Sequence, residues 1–319
     1  MPWNEYRDLS IQVRPSRTAL PKYSVTGDIL SYRRCPRQYG FFTVRGYKSA
    51  HQVQLWFGTI IHQVLDKLHL QYKGLVDPTM RGKVPTEDDV EGYFRQVNMS
   101  LRARGIRGYN DDNEVHALAI LRRFNELEGA RLYPHIIDTE CAFQTQQETY
   151  ILEGVVDVLR DLTHETVPQG YEPVEIWDYK AGYNPSPDGT KVRSRLYEDY
   201  EFQMLVYAEL YRLRTGMYPT RGILYFMNEL VQKRGKQSAW VSVPDKQARQ
   251  RAMLVFDFTD PKILIRLQEA MAQYDHIVAE IEQHKLANLW PPSDHPDRDT
   301  CATCDKRWDC EHGTALTPP

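Results

Sequence analysis

Two segments decide the fold: residues 152–159, LEGVVDVL, and residues 174–180, VEIWDYK. Each is a short apolar run rich in β-branched or aromatic side chains, which predicts a buried strand. Each carries an aspartate near its end, Asp157 in the first and Asp178 in the second. A carboxylate in such surroundings is costly unless it is used. Side chains alternate along a strand, so Asp178 and Lys180 share a face. If the two strands are neighbours, Asp157 and Asp178 meet at one point. Two converging carboxylates suit a hard divalent cation. An adjacent ammonium suits negative charge developing on a phosphate. A D-x-K tripeptide taken alone is more often an exposed salt pair, and the apolar strands around this one weigh against that reading. Glu153 and Glu175 stay outside the site. Glu153 is about 13 Å along the strand from Asp157, and Glu175 faces away from Asp178.

Working outward, residues 136–146 alternate and predict the first arm of a hairpin with 149–160. The stretch DTECAFQT makes Cys141 a small buried hydrophobe. Upstream, residues 55–72 have a helical period, with Ile61, Leu65 and Leu68 on one face and His62 beside them. Helices are also expected at 86–104 and 112–132, and a short one follows a cap at Ser24 or Thr26 and ends before Pro36. Downstream, residues 181–195 read as a loop. Then come a helix at 199–214, strands at 221–227 and 238–243, and a long helix at 260–286. This order predicts one α/β domain, a mixed β-sheet core flanked by helices. The expected organisation is a tail over 1–20 and a single domain over 21–319. Its parts are a helical region (21–134), a core (135–230) and a terminal helix with a cysteine group (231–319).

The chain has 319 residues, 26% charged and 41% hydrophobic, a globular composition. No apolar run approaches the length of a membrane span, and the N-terminus lacks the apolar core of a signal peptide. A cytoplasmic protein is therefore expected. The net charge of −3 argues mildly against a nucleic-acid partner. Its distribution argues the other way: residues 1–50 hold nine basic side chains against three acidic ones, a local +6 that leaves −9 elsewhere. Aromatic residues are interleaved there, the composition of a strand-binding surface. The five cysteines are an odd count for a disulfide framework. Cys35 stands near the start, and Cys301, Cys304 and Cys310 form a C-x2-C-x5-C group near the end.

The order of these features resembles the RecB-like branch of the PD-(D/E)XK nucleases with an iron–sulfur cluster. The CRISPR-associated RecB-like exonucleases and the AddB nuclease domain are similar. SYRRCPRQYGF, FGTIIHQVL, LEGVVDVL, IWDYKAG, YEFQMLVYAELY and CATCDKRWDC match that order. The resemblance implies a restriction-endonuclease-like fold and a metal-dependent DNA exonuclease acting on single strands or free ends. It implies Asp157, Asp178, Lys180, Gln203 and Tyr207 as catalytic residues. His62, Asp157, Asp178 and the backbone carbonyl of Tyr179 would ligate Mg2+ or Mn2+. Cys35, Cys301, Cys304 and Cys310 would hold a [4Fe-4S] cluster joining the two ends. A separate helicase or a CRISPR integration complex is the implied kind of protein partner. The sequence departs in the insert DLTHETVPQGYEP between the two strands and in Tyr211, a second candidate for the tyrosine. His312 keeps a Cys/His zinc site open. A DNA-binding adaptor without activity and a redox-sensing cluster protein are the alternatives in other classes.

Overall fold

A computed structural model describes residues 20–47, 52–186, 195–234, 239–294, 298–302 and 304–314. The basic residues Arg7, Arg14, Arg17 and Lys48, most of the expected tail and most of the 181–195 loop lie outside these residues. The elements run in the order β1 (Lys22–Ser24), α1 (Ser31–Arg34), α2 (Pro36–Tyr39), α3 (Gln52–Tyr72), α4 (Glu87–Ala103), α5 (Asp111–Leu132), β2 (Ile136–Gln146), β3 (Ile151–Asp161) and β4 (Tyr171–Lys180). There follow α6 (Arg195–Thr215), β5 (Tyr218–Phe226), β6 (Val231–Arg234), β7 (Ala239–Ser242), α7 (Asp245–Ala252), β8 (Met253–Asp257), α8 (Pro261–Ala287), α9 (Arg298–Ala302) and α10 (Glu311–Thr314). A π-helical turn, Val25–Leu30, leads into α1.

Six strands form one mixed sheet. β2 and β3 pair as the antiparallel hairpin, β4 is antiparallel to β3, β5 is parallel to β4, and β8 closes the far side antiparallel to β5. The edge of β3 away from β2 is shared. β1 pairs in parallel with Ile151–Glu153 at one end, and β4 pairs with Val158–Asp161 at the other. This is the mixed sheet flanked by helices that the sequence predicts. The sequence does not reveal β1, β6, α7 or β8. β1 spans three residues, too few for a period to register. α7 and β8 abut without a turn residue between Ala252 and Met253.

Helices cover both faces of the sheet. On one, α6 and α8 pack with Ile176, Leu224 and Phe226. On the other, α3, α4, α5 and α7 pack with Trp177, Ile223 and Tyr225. β4 and β5 are apolar on both faces because both are covered. α6 is buried on nearly every side from Tyr197 to Tyr211, so its polar residues find partners inside: Asp199 with Arg33, Glu201 with Arg266, Glu209 with Arg212. Capping boxes at Thr86/Asp89 and Asn110/Asn113 start α4 and α5. At the start of the helical turn after β1, Ser24 donates from its N–H and its hydroxyl to Asp28.

The segment Tyr23–Gly40 meets α8 and Trp290. Tyr274 donates to the Tyr23 carbonyl at 2.7 Å, and the Tyr32 hydroxyl lies 2.9 Å from His284 Nδ1. A side chain at Gly40 would collide with the Trp290 ring, so glycine lets the two segments close. No helix among the described residues is long and apolar enough to cross a membrane.

His116 on α5 stacks on Trp240 of β7 with ring centroids 3.5 Å apart. Burial pushes its pKa down to about 4, with Asp112 partly offsetting it. The folded protein therefore holds His116 neutral where the unfolded chain protonates it, near pH 6.5. Unfolding takes up a proton between about pH 6.5 and 4, so stability rises with pH across that window. Wild type is expected to lose roughly 3 kcal/mol more than His116→Phe between pH 7 and 4. Urea denaturation at several pH values measures this, and parallel acid slopes would refute it.

Candidate active site

The β3–β4 ladder ends at the pair Val158↔Trp177. Asp157 and Asp178 are the next residue on each strand, where β4 parts from β3 and continues along β5 with Asp178↔Leu224 and Lys180↔Phe226. The Tyr179 N–H donates to Asp157 Oδ2 at 2.6 Å. Both aspartates are buried, at 8% and 4% exposure. Gly154, one β3 residue removed from Val156, leaves room for the Tyr207 and Leu210 side chains of α6 against the strand; a Cβ there would come within 2.9 Å of each.

The side chains around the two aspartates arrive from α3, β4 and α6. His62 projects from α3 with Nδ1 3.3 Å from Asp157 Oδ1. Lys180 Nζ lies 2.6 Å from Asp178 Oδ2 and donates to Gln203 Oε1 at 2.8 Å. Gln203 Nε2 donates to Asp178 Oδ1 at 2.8 Å and to the Tyr207 hydroxyl at 3.0 Å. The amide of Gln203 thus holds the acid, the amine and the phenol together. Lys180 also stands 5.3 Å from the Tyr200 ring centroid. Asp178 Oδ2 is buried without a hydrogen bond, because Lys180 approaches it outside hydrogen-bond geometry. A buried carboxylate oxygen with a spare lone pair is what a cation ligand requires.

The two carboxylates are held in different states. Burial raises the pKa of Asp157, but the His62 charge and hydrogen bond and the Tyr179 N–H outweigh it, and the pKa ends below the ordinary range. Burial raises Asp178 as well, and there Lys180 opposes it while the Asp157 charge adds to it, so Asp178 stays above the ordinary range. Burial lowers His62, yet Asp157 brings it up to about 9.

All the residues singled out around the D-x-K strand converge here: His62, Asp157, Asp178, Tyr179, Lys180, Gln203 and Tyr207. Tyr211 does not. Its hydroxyl donates to Glu172, away from the aspartates. His69, one heptad after His62, is a core residue stacked on Tyr179. Glu153 pairs with Gln144 and Lys22, and Glu175 with Arg160 and Arg221, both outside the site. Sequence reasoning missed Glu140. It stands on β2 between the pairs Thr139↔Val158 and Cys141↔Val156, opposite Asp157. Its carboxylate oxygen, a ring nitrogen of His62 and a carboxylate oxygen of Asp157 lie within 4.8 Å of one another.

A sequence profile described as the PD-(D/E)XK nuclease superfamily matches residues 26–311. The chain belongs to the PD-(D/E)XK nuclease superfamily. That match spans the two aspartates, the lysine and all four clustered cysteines. Among solved structures, a candidate exonuclease from Eubacterium rectale is similar at 17% identity, over 93% of this chain and 89% of its own, with a TM-score of 0.47. No curated protein matches the chain.

The second cluster of ligand-type residues lies where α2 meets α9. Cys35, Cys301, Cys304 and Cys310 line one small cavity with Arg37, Gln38, Phe41 and Lys306. None is in a disulfide. Gln38 Nε2 donates to the Thr300 carbonyl at 3.1 Å, which docks α2 on α9. Zinc ligands at Zn–S bonds of about 2.3 Å bring sulfurs within about 4 Å of one another. No three of these sulfurs fall within 4.8 Å, and His312 does not line the cavity.

Gln203→Leu removes the amide but keeps much of its volume, leaving Asp178, Lys180 and Tyr207 without their shared partner. A loss of about 1–3 kcal/mol is expected in chemical denaturation. An unchanged midpoint would show that the network carries no stability.

Proposed function

We propose that this chain is a divalent-metal-dependent DNA nuclease that works on single strands or free ends and carries a [4Fe-4S] cluster. The observation that carries the reading is the meeting of Asp157, Asp178 and Lys180 where β3 and β4 part, with His62 beside them. Within a PD-(D/E)XK nuclease, that set suits phosphodiester hydrolysis. His62, Asp157, Asp178 and the Tyr179 carbonyl would hold Mg2+ or Mn2+. The chemistry such a cation supplies is Lewis acidity, polarising the scissile phosphate and lowering the pKa of an attacking water.

The chain's own side chains do the rest. Asp157, which accepts from the Tyr179 N–H, offers a fixed charge on which to hold the site. Lys180 sits where its ammonium can donate to a phosphate oxygen or to the attacking water. Gln203 fixes Lys180 by accepting one of its protons and fixes Asp178 by donating to Oδ1. Tyr207 sets the amide of Gln203 by accepting from Nε2. Gln203 and Tyr207 are therefore positioning residues, acting through Lys180 and Asp178.

Near the cysteine cavity, Lys306 stands 5.1 and 5.3 Å from the Phe41 and Tyr47 ring centroids. Arg45 lies over Phe41 and Arg307 over Trp308, and Tyr47 and Trp308 are exposed. Exposed rings interleaved with cations support base stacking along an unpaired strand. The cluster's part in this reading is structural, tying Cys35 to the terminal cysteines across a long loop. A separate helicase or integration complex is the kind of partner the sequence resemblance implies.

Labelled single-stranded DNA incubated with Mg2+ or Mn2+ tests the activity. Lys180→Ala is expected to cleave at least about 10²-fold more slowly than wild type. Equal rates would sink the catalytic assignment. Anaerobically purified protein is expected to be coloured, with four irons and four sulfides per chain. Cys304→Ser should lose both the colour and thermal stability. Colourless protein holding one zinc per chain would overturn the cluster.

A further inference from the structure

A cavity of about 290 Å³ lies on the sheet face opposite the D-x-K pair. Glu175 and Trp177 of β4 line it, and side chains alternate, so Asp178 and Lys180 point the other way. Two cross-strand rungs form its floor: Arg160↔Glu175↔Arg221, and Trp177↔Ile223↔Val255. α5 and α7 form its walls with Glu128, Arg131, Leu132 and Arg249. The side towards β8 is the sheet margin, where Val255 is exposed.

The charges in this cavity do not close on themselves. Four arginines line it against three glutamates. Glu175 takes Arg160 and Arg221, Glu165 takes Arg221, and Glu128 takes the Nε of Arg249. Arg131 makes no hydrogen bond or ion pair among the described residues. The two terminal amino groups of Arg249 make no hydrogen bond among them either. Two guanidinium forks, one from α5 and one from α7, thus face the same space with a surplus of positive charge. One fork is filled by the two oxygens of a carboxylate, whereas a phosphate has a third oxygen for a second fork. Leu132, Trp177, Ile223, Met253 and Val255 make five of the twelve lining residues apolar, which suits an organic body better than a bare ion. The volume is near the lower end for small-molecule sites, roughly 300 Å³, which admits one nucleotide and excludes a strand.

We infer that this cavity binds a small phosphate-bearing molecule with an apolar body, of the size of a mononucleotide. The phosphate lies between Arg131 and Arg249, and the body rests on Met253 and Val255. The site is separate from the aspartates and does not rest on the nuclease reading. Its occupant bridges α5, α7 and the sheet margin, so binding stabilises the fold.

Calorimetric titration of the full chain without divalent cations tests this, with deoxyadenosine monophosphate and inorganic phosphate as separate probes. One nucleotide per chain is expected, bound more tightly than phosphate and raising the melting temperature. Arg131 is exposed, so Arg131→Ala should keep the fold and weaken binding at least about tenfold. Val255→Glu places a negative charge at an exposed position on the floor and should weaken it likewise. Lys180→Ala should bind as wild type does. No binding of either probe would overturn the inference, as would equal affinity for the two, or wild-type affinity in both Arg131→Ala and Val255→Glu. Loss of binding in Lys180→Ala would also overturn it, because the nucleotide would then sit at the aspartates, and the nuclease reading would stand.

Discussion

The edge of β3 is claimed by two strands, and the site depends on that division. β1 takes the end near Ile151 and β4 takes the end from Val158 onward, so a gap opens between them. Backbone groups left unpaired at such a gap need partners. The Tyr179 N–H finds Asp157, and with the larger contribution of His62 it holds that carboxyl below the ordinary range. From there β4 follows β5, and its alternation carries Asp178 and Lys180 to the face covered by α6. A helix buried on nearly all sides must satisfy its polar groups internally, and Gln203 does so against both of these residues.

Two buried aspartates at the end of one ladder could not both be ordinary acids. Burial acts on both in the same sense, and the neighbours separate them. His62 and a backbone donor hold Asp157 down, while Asp178 has Lys180 against it and the Asp157 charge beside it. The asymmetry comes from which element lies nearby: α3 on one side, α6 on the other. Conversely, the core histidines His69 and His116 are kept neutral by burial with little to oppose it.

Much of this was legible in the sequence because the signals were local. The β2–β3 hairpin and β4 announced themselves by apolar runs, and α3 and α6 by helical period. The aspartates stood out as charges in apolar strands, and Gln203 and Tyr207 as neighbours one helical turn apart. What was not legible depends on packing. Tyr207 and Tyr211 lie one turn apart on the same helix, and only contact with Gln203 or Glu172 tells them apart. Glu140 looked like an ordinary outward residue of an alternating strand, since nothing in DTECAFQT signals a left-handed residue. β1 and β8 are too short for a period, and their existence follows from the strands they join.

The irregularity at Glu140 has a consequence for the molecule's surface. Among the described residues β2 pairs only with β3, so its other side is a sheet margin carrying backbone groups able to recruit a second chain. A left-handed residue in mid-strand, a register shift between Ile136 and Asp138, and acids at Asp138 and Glu140 make that margin a poor template for another strand. Lys73 and Arg214 occupy the carbonyls of Ile137 and Ala142 as well. The residue that disturbs the hairpin beside the aspartates thus also guards the protein against joining copies of itself edge to edge.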